Sequence, residues 1–339
     1  MHMADALLSP AVGATMWLAS AAALAYSARR VREQGEDRLV PLMGVLGAFV
    51  FAAQMINFAI PGTGSSGHLG GGLLLAALLG PHAALIVIAS VLTVQALFFA
   101  DGGLLALGAN IFNLGVLPCF VAYPLLYRSI VGAGASRRRI SAGAVVAALA
   151  GLQLGALGVV LQTVGSGISS LPLSSFLLLM LPVHVPIGLV EGFATAAILL
   201  FVQRAQPDLV APSGASPAGG SMKPLLASLA IAATVTAGAV SWLASKAPDG
   251  LEWSIEQVAT TAEMPAPATD VHAFLGRLQE QMSFLPDDQL PGRSPAAREP
   301  AEPAWPQVDA GTSIAGLVGG AVTLLLVGLI AALLRRQRR

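Results

Sequence analysis

Four stretches of this chain, Val40–Ile60, Pro81–Ala100, Ser141–Gly165 and Ile314–Leu334, run for twenty residues or more without aspartate, glutamate, lysine or arginine. At about 1.5 Å of rise per helical residue, each can cross roughly 30 Å of hydrocarbon. A water-facing fold cannot hide four such blocks. Hydrophobic residues make up 55% of the 339 positions and charged residues only 11%, where a soluble domain carries about a quarter. The chain therefore reads as an all-α polytopic membrane protein.

Extending the apolar pattern gives nine expected spans, at about 9–28, 40–60, 69–79, 81–100, 104–127, 140–165, 172–203, 224–244 and 314–334. The third is too short for a full crossing and rich in glycine (Gly70-Gly71-Gly72), so a tilted or partly embedded helix beside a binding loop is expected there. Gly151–Gly155 and Gly188–Gly192 have the small-residue spacing that lets membrane helices approach closely. The N-terminus has no basic segment ahead of its first apolar block, which argues against a cleaved signal peptide. The single cysteine, Cys119, sits in an apolar stretch and reads as packing.

Charge then orients the chain. Arg29, Arg30, Arg32, Arg38, Arg128, Arg137, Arg138, Arg139, Arg204, Lys223, Arg335, Arg336, Arg338 and Arg339 all fall on one side if the N-terminus is outside. That is the cytoplasmic side by the positive-inside rule, with the C-terminus also cytoplasmic. A Pro-, Gly- and Ser-rich linker at 207–222 divides the chain. Residues 1–206 form a seven-helix body, and 223–339 a two-helix module around an external loop of about seventy residues, Ser245–Ser313. That loop carries four basic against eleven acidic residues, a net charge of −7 that raises the local concentration of divalent cations. Its second half, Pro286–Pro306, has the composition of a disordered segment.

The residues with the most chemistry are at the start. Met1 and His2 emerge on the outer face. The Met1 amine and a deprotonated His2 backbone nitrogen close a five-membered chelate, and that nitrogen with His2 Nδ1 closes a six-membered one. Three nitrogens in one plane suit Ni(II) or Cu(II). His68, in the glycine-rich loop Pro61–Gly70 on the same outer side, can supply a fourth. Asp101 opens another outer loop and can hold a ligand histidine or cap a helix. Asn110 and Asn113 can hydrogen-bond the ligand-bearing segments or join helices. His82 and His184, near prolines at span ends, read as structural. Glu191 lies well inside a span, where a carboxylate needs a partner; a metal path, bracing of the bundle and docking of another subunit are all open.

The start Met1-His-Met-Ala-Asp-Ala-Leu-Leu-Ser-Pro10, the loop Gly64-Ser-Ser-Gly-His68-Leu-Gly-Gly71 and the run Ala106-Leu-Gly-Ala-Asn110-Ile-Phe-Asn113 resemble the CbiM/NikM family. These are the substrate-binding membrane components of energy-coupling-factor nickel and cobalt transporters. The likeness covers about residues 1–205, with Met3 and Ala6 departing from the family's usual Ile and Gly. Pro248-Asp-Gly-Leu-Glu252 matches the PDGLE motif of the small accessory components of these systems, fused here to the body. The resemblance implies Met1, His2 and His68 as ligands, the N-terminal amine included. It also implies a transmembrane coupling subunit and cytoplasmic ATPase subunits as partners in a bacterial or archaeal cell membrane. Nothing in the sequence points to nucleic acid.

Neither of the two lysines, Lys223 and Lys246, sits in a phosphate-binding G-K-[ST] loop, so ATP hydrolysis belongs to separate subunits. An intramembrane metalloprotease would need a pattern such as H-E-x-x-H, and no histidine here is followed by glutamate. A scaffold without ligand would leave the shared sidedness of Met1, His2 and His68 unexplained. The reading is thus a transport subunit that captures Ni(II) as its substrate, with Co(II) as the alternative.

Overall fold

The computed structural model describes residues 1–35, 39–132, 134–210, 221–259, 269–286, 306 and 308–337. Helix α1 (Pro10–Gln34) starts on Ser9, whose hydroxyl accepts from Val12 N, with Pro10 in the first turn where its missing N–H costs nothing. It is followed by α2 (Leu39–Gln54), a hairpin of β1 (Phe58–Ile60) and β2 (Ser65–Gly67), α3 (Gly72–Leu79) and α4 (Pro81–Phe98). Next come α5 (Leu107–Ile130), which winds as π-helix over Phe112–Val116 and Pro118–Tyr127, α6 (Arg137–Ser166) and α7 (Leu173–Ala205). The remainder forms α8 (Lys223–Gly238), α9 (Gly250–Val258), α10 (Asp270–Met282) and α11 (Ala310–Arg336).

Six helices among the described residues, α1, α4, α5, α6, α7 and α11, are long and apolar enough to cross a membrane. Large apolar side chains such as Leu18, Leu178, Phe193 and Leu325 stand on their outer faces, as bilayer-facing helices require. The expected second and eighth spans are shorter than the sequence suggested. α2 stops at Gln54, because Phe58–Ile60 pairs antiparallel with Ser65–Gly67 around the Pro61–Gly64 turn. α8 ends at Gly238 and tightens into a 3-10 turn, Val240–Leu243. At 16 residues each, α2 and α8 span about 24 Å, short of a full crossing. The short third element, α3, is an almost fully buried helix of eight residues.

The glycine pairs do pack helices. A Cβ on Gly188 or Gly192 would lie 2.9 and 2.6 Å from the backbone of Leu149 and Val145 on α6. Within the linker, Pro207–Val210 makes one more helical turn, and 211–220 lie outside the described residues. The expected disorder of 286–306 falls almost wholly on residues outside the description, as do Arg38, Arg293, Arg298, Arg338 and Arg339. Ahead of that stretch the loop contains α9 and α10. Arg32 on α1 donates to Gln337 after α11 at 3.3 Å, so the basic ends of the first and last helices share one end of the bundle. The hairpin, the 99–106 loop and the α9 and α10 segments gather around the N-terminus.

Candidate functional site at the N-terminus

The first eight residues are drawn into the protein, with Met1, Met3, Leu7 and Leu8 all buried. Their backbone is clamped. Asn110 accepts from Met3 N at 2.8 Å and donates to Met3 O at 3.2 Å, and Gly103 N donates to Met3 O at 2.9 Å. Asp5 accepts from Ala106 N at 2.9 Å, and His272 of α10 contacts Leu8 O through Nε2 at 3.0 Å. Gly102 is required by this approach. It has φ of +82°, and a Cβ there would sit 2.9 Å from the Asn110 amide and 3.4 Å from His2 Cβ.

This clamp delivers the Met1 amine to 3.0 Å from His68 Nε2 and 2.5 Å from Asp249 Oδ2. His68 Nδ1 lies 3.1 Å from Leu69 O. A carbonyl can only accept, so Nδ1 carries the proton and Nε2 presents its lone pair to the amine. Burial, then the amine and His2, lowers His68 from 6.5 to about 3, so the ring is a neutral donor near pH 7. Its 3.9 Å separation from Asp249 is therefore no ion pair. Burial alone would raise Asp249, but the amine and His68 hold it well below the usual carboxylate range. The same contest, won by His2, lowers Asp101.

His2 Nδ1 meets Asp101 Oδ1 at 3.0 Å, and its buried Nε2 has no hydrogen-bond partner among the described residues. The His2 and His68 rings lie parallel with centroids 4.8 Å apart. Both rings line a cavity of about 390 Å³ together with Asp101, Asp249, Glu252 and Gln279. Asn113 sits farther back. It exchanges two hydrogen bonds with Gln162 of α6 and touches Met3 Sδ, so it ties helices together behind the segment that Asn110 holds.

The structure adds two residues that the sequence left open. Glu191 accepts from Gly70 N and Gly71 N, each at 3.0 Å, so its partner is the loop that carries His68. Asp249 stands at the amine itself, although it lies 248 positions away. Its signal in the sequence is the Asp-Gly-Leu-Glu run, a turn with a helix after it whose acids can gather cations near the site. His184 donates from Nδ1 to Met180 O at 2.7 Å and its buried Nε2 has no hydrogen-bond partner among the described residues, while His82 contacts Ser27. Among the described residues, no group of three or more His, Cys, Asp or Glu is placed to hold a metal ion.

Helices with apolar outer faces and polar loops gathered at one end define a multi-pass membrane protein, and its relatives define which one. The cobalt-uptake substrate-specific transmembrane region family, CbiM, matches residues 2–209, and the PDGLE domain family matches 223–336. The chain belongs to the CbiM family, fused to a PDGLE module. A putative fused nickel transport protein NikMN from Archaeoglobus fulgidus is 35% identical and covers 96% of each chain. A cobalt transport protein CbiM from Geobacter sulfurreducens is 33% identical over 65% of this chain and 64% of its own. A crystal structure described as a truncated transition metal transporter superposes with a TM-score of 0.53 at 29% identity, covering 60% of this chain and 99% of that one. The protein is thus a membrane component of transition-metal uptake and not an enzyme.

Proposed function

We propose that the chain is the substrate-specificity subunit of an ATP-driven energy-coupling-factor importer, capturing Ni(II) at the outer face through Met1, His2 and His68. Residues 1–206 would be the metal-binding body and 223–339 the accessory module. A transmembrane coupling subunit and cytoplasmic ATPase subunits would supply the energy. The membrane would be that of a bacterial or archaeal cell, with the N-terminus outside and the C-terminus cytoplasmic.

One observation carries this reading: a buried amine and the lone pair of a neutral imidazole face each other at 3.0 Å. Two nitrogens bound at about 2.0 Å to one ion and 90° apart are separated by about 2.8 Å, so an ion can enter between these two with little movement. The remaining donors are the His2 backbone nitrogen and Nδ1. Because Nδ1 now sits on Asp101, the full chelate needs that bond to open and the ring to turn. The half-exposed Asp101 can then take water instead. Planar nitrogen donation favours Ni(II) over Co(II), and the full-length relative from Archaeoglobus fulgidus is named for nickel.

The test is titration of the purified chain with Ni(II) and Co(II). One equivalent of a diamagnetic, yellowish nickel complex that outcompetes cobalt is expected. A high-spin octahedral spectrum, or two equivalents per chain, would contradict the planar site, and a preference for cobalt would reverse the choice of metal.

A further inference from the structure

The PDGLE segment does more than lie near the amine. Asp249 caps α9 with one oxygen only. Its Oδ1 accepts from Leu251 N at 2.8 Å and Glu252 N at 2.9 Å, while Glu252 accepts from Asp249 N at 3.1 Å and closes the capping box. The carboxylate is thereby fixed in rotation with Oδ2 left over, and Oδ2 is the atom on the Met1 nitrogen.

The segment is also registered on the hairpin that leads to His68. Ser245 N donates to Asn57 O at 2.6 Å, Ser66 N to Pro248 O at 2.8 Å, and the Ser66 hydroxyl to Ala247 O at 2.7 Å. Ser66 and Asp249 form a parallel bridge. On the other side, Gly250 lies against α7, where a Cβ would come within 3.0 Å of His184 and 3.2 Å of Ile187. His68 and Asp249 are thus positioned by a single set of backbone contacts that joins the two fused parts, and the Met1 nitrogen meets both of them.

From these contacts we infer that Asp249 of the accessory module is a positioning residue of the capture site: Oδ2 holds the Met1 nitrogen against His68 and lends its negative charge to the bound cation. The inference rests on the proposed capture of metal between Met1 and His68. The distances bound where the ion would lie. Oδ2 is 2.5 Å from the amine and 3.9 Å from His68 Nε2, which are 3.0 Å apart. Any ion about 2.0 Å from both nitrogens then lies between about 1.9 and 4.1 Å from Oδ2. Asp249 cannot be a bystander at that range. Ni(II) held by one deprotonated backbone nitrogen keeps a net charge of one. In a pocket whose Met1 and His68 are 5% and 8% exposed, that charge needs an anion beside it. The bound amine retains two hydrogens, and Oδ2 accepts one of them, leaving the four nitrogens planar.

The experiment compares the full chain with Asp249→Asn, Asp249→Ser and Glu256→Gln by competition against a chromophoric nickel chelator, alongside the metal-free melting midpoint. Asn and Ser both cap helices, so α9 keeps its start. Glu256→Gln removes one charge from the same helix on its exposed face. Both Asp249 variants should bind Ni(II) at least about tenfold more weakly with a planar spectrum retained, while Glu256→Gln matches the parent chain. Affinity equal to the parent in both Asp249 variants overturns the inference and leaves the capture site standing. Weakening that merely tracks a lower melting midpoint, or that appears equally in Glu256→Gln, overturns it as well. Should the parent itself bind no nickel, the proposed function falls and takes this inference with it.

Discussion

One glycine placed ahead of Met1 probes the proposed chelate at its first atom. Successive Cα atoms are about 3.8 Å apart, farther than the space around the amine allows. His68 Nε2 stands 3.0 Å from that nitrogen and Asp249 Oδ2 2.5 Å. The extra residue therefore moves the charged terminus out of its contacts, and the Met1 nitrogen becomes an amide whose lone pair is delocalised. The site loses a donor together with its five-membered ring, and Asp249 loses its cation. Removing groups that only support a metal ligand typically costs 10–100-fold in affinity, so losing a ligand should cost at least about 100-fold, or about 2.7 kcal/mol. The assay measures nickel retained against a chelator by purified glycine-extended protein and by protein tagged after Arg339, with uptake compared in cells at equal membrane abundance. The spans are untouched, so both forms should insert. An extended protein that retains nickel as tightly as the C-tagged one refutes coordination by the terminal amine.

Further outcomes follow from neighbouring residues. His68→Ala should lower nickel affinity by about 100-fold with helix content unchanged by circular dichroism, and an unchanged affinity would put the fourth donor elsewhere. Glu191→Ala strands two buried amides, Gly70 N and Gly71 N, at about 1–3 kcal/mol each. It should lower both the melting midpoint and nickel affinity, with Glu191→Gln milder because one acceptor remains; a neutral Ala variant would contradict the bracing role. Acidification should also destabilise the fold. His68 is held at about 3 in the folded chain, below its ordinary value, so its contribution is complete above about pH 6.5 and is lost as the pH falls from there toward 3. The loss reaches up to about 1.4 kcal/mol per pH unit, and Asp249, also held low, loses its share at lower pH still. Melting midpoints measured from pH 8 to 5 should fall, and a rise would contradict the buried neutral imidazole.

The sequence announced the spans because hydrocarbon tolerates so few charges that uncharged runs have little other use. Met1, His2 and His68 were legible because positive-inside counting put all three on one face. The hairpin was not, since Phe58-Ala59-Ile60 is apolar enough to pass as the end of a helix and only backbone pairing with Ser65–Gly67 stops α2 at Gln54. Glu191 was legible as a carboxylate in need of a partner, but two glycine amides carry no side-chain signature. Asp249-Gly250 signals a turn ahead of a helix, and Asp249 does cap α9; its second oxygen reaches the amine because the hairpin and α7 set the register of the segment. The sequence placed every candidate ligand ahead of the linker, and the structure brings the module beyond it into the same pocket.

The grip of Glu191 on Gly70 and Gly71 has a mechanical consequence. α7 is a 33-residue rod that carries Glu191 and ends at Ala205, beside the basic Arg204, while the loop it grips carries the His68 imidazole that faces the Met1 nitrogen. Force applied to that end of the rod is transmitted to the His68 loop through two hydrogen bonds, whereas the segment behind Met1 is held at Met3 by Asn110 on α5. Tilting α7 against α5 therefore pulls the two nitrogens apart. In the proposed importer, a subunit that leans on the Ala205 end of α7 would loosen a captured cation without ever touching it.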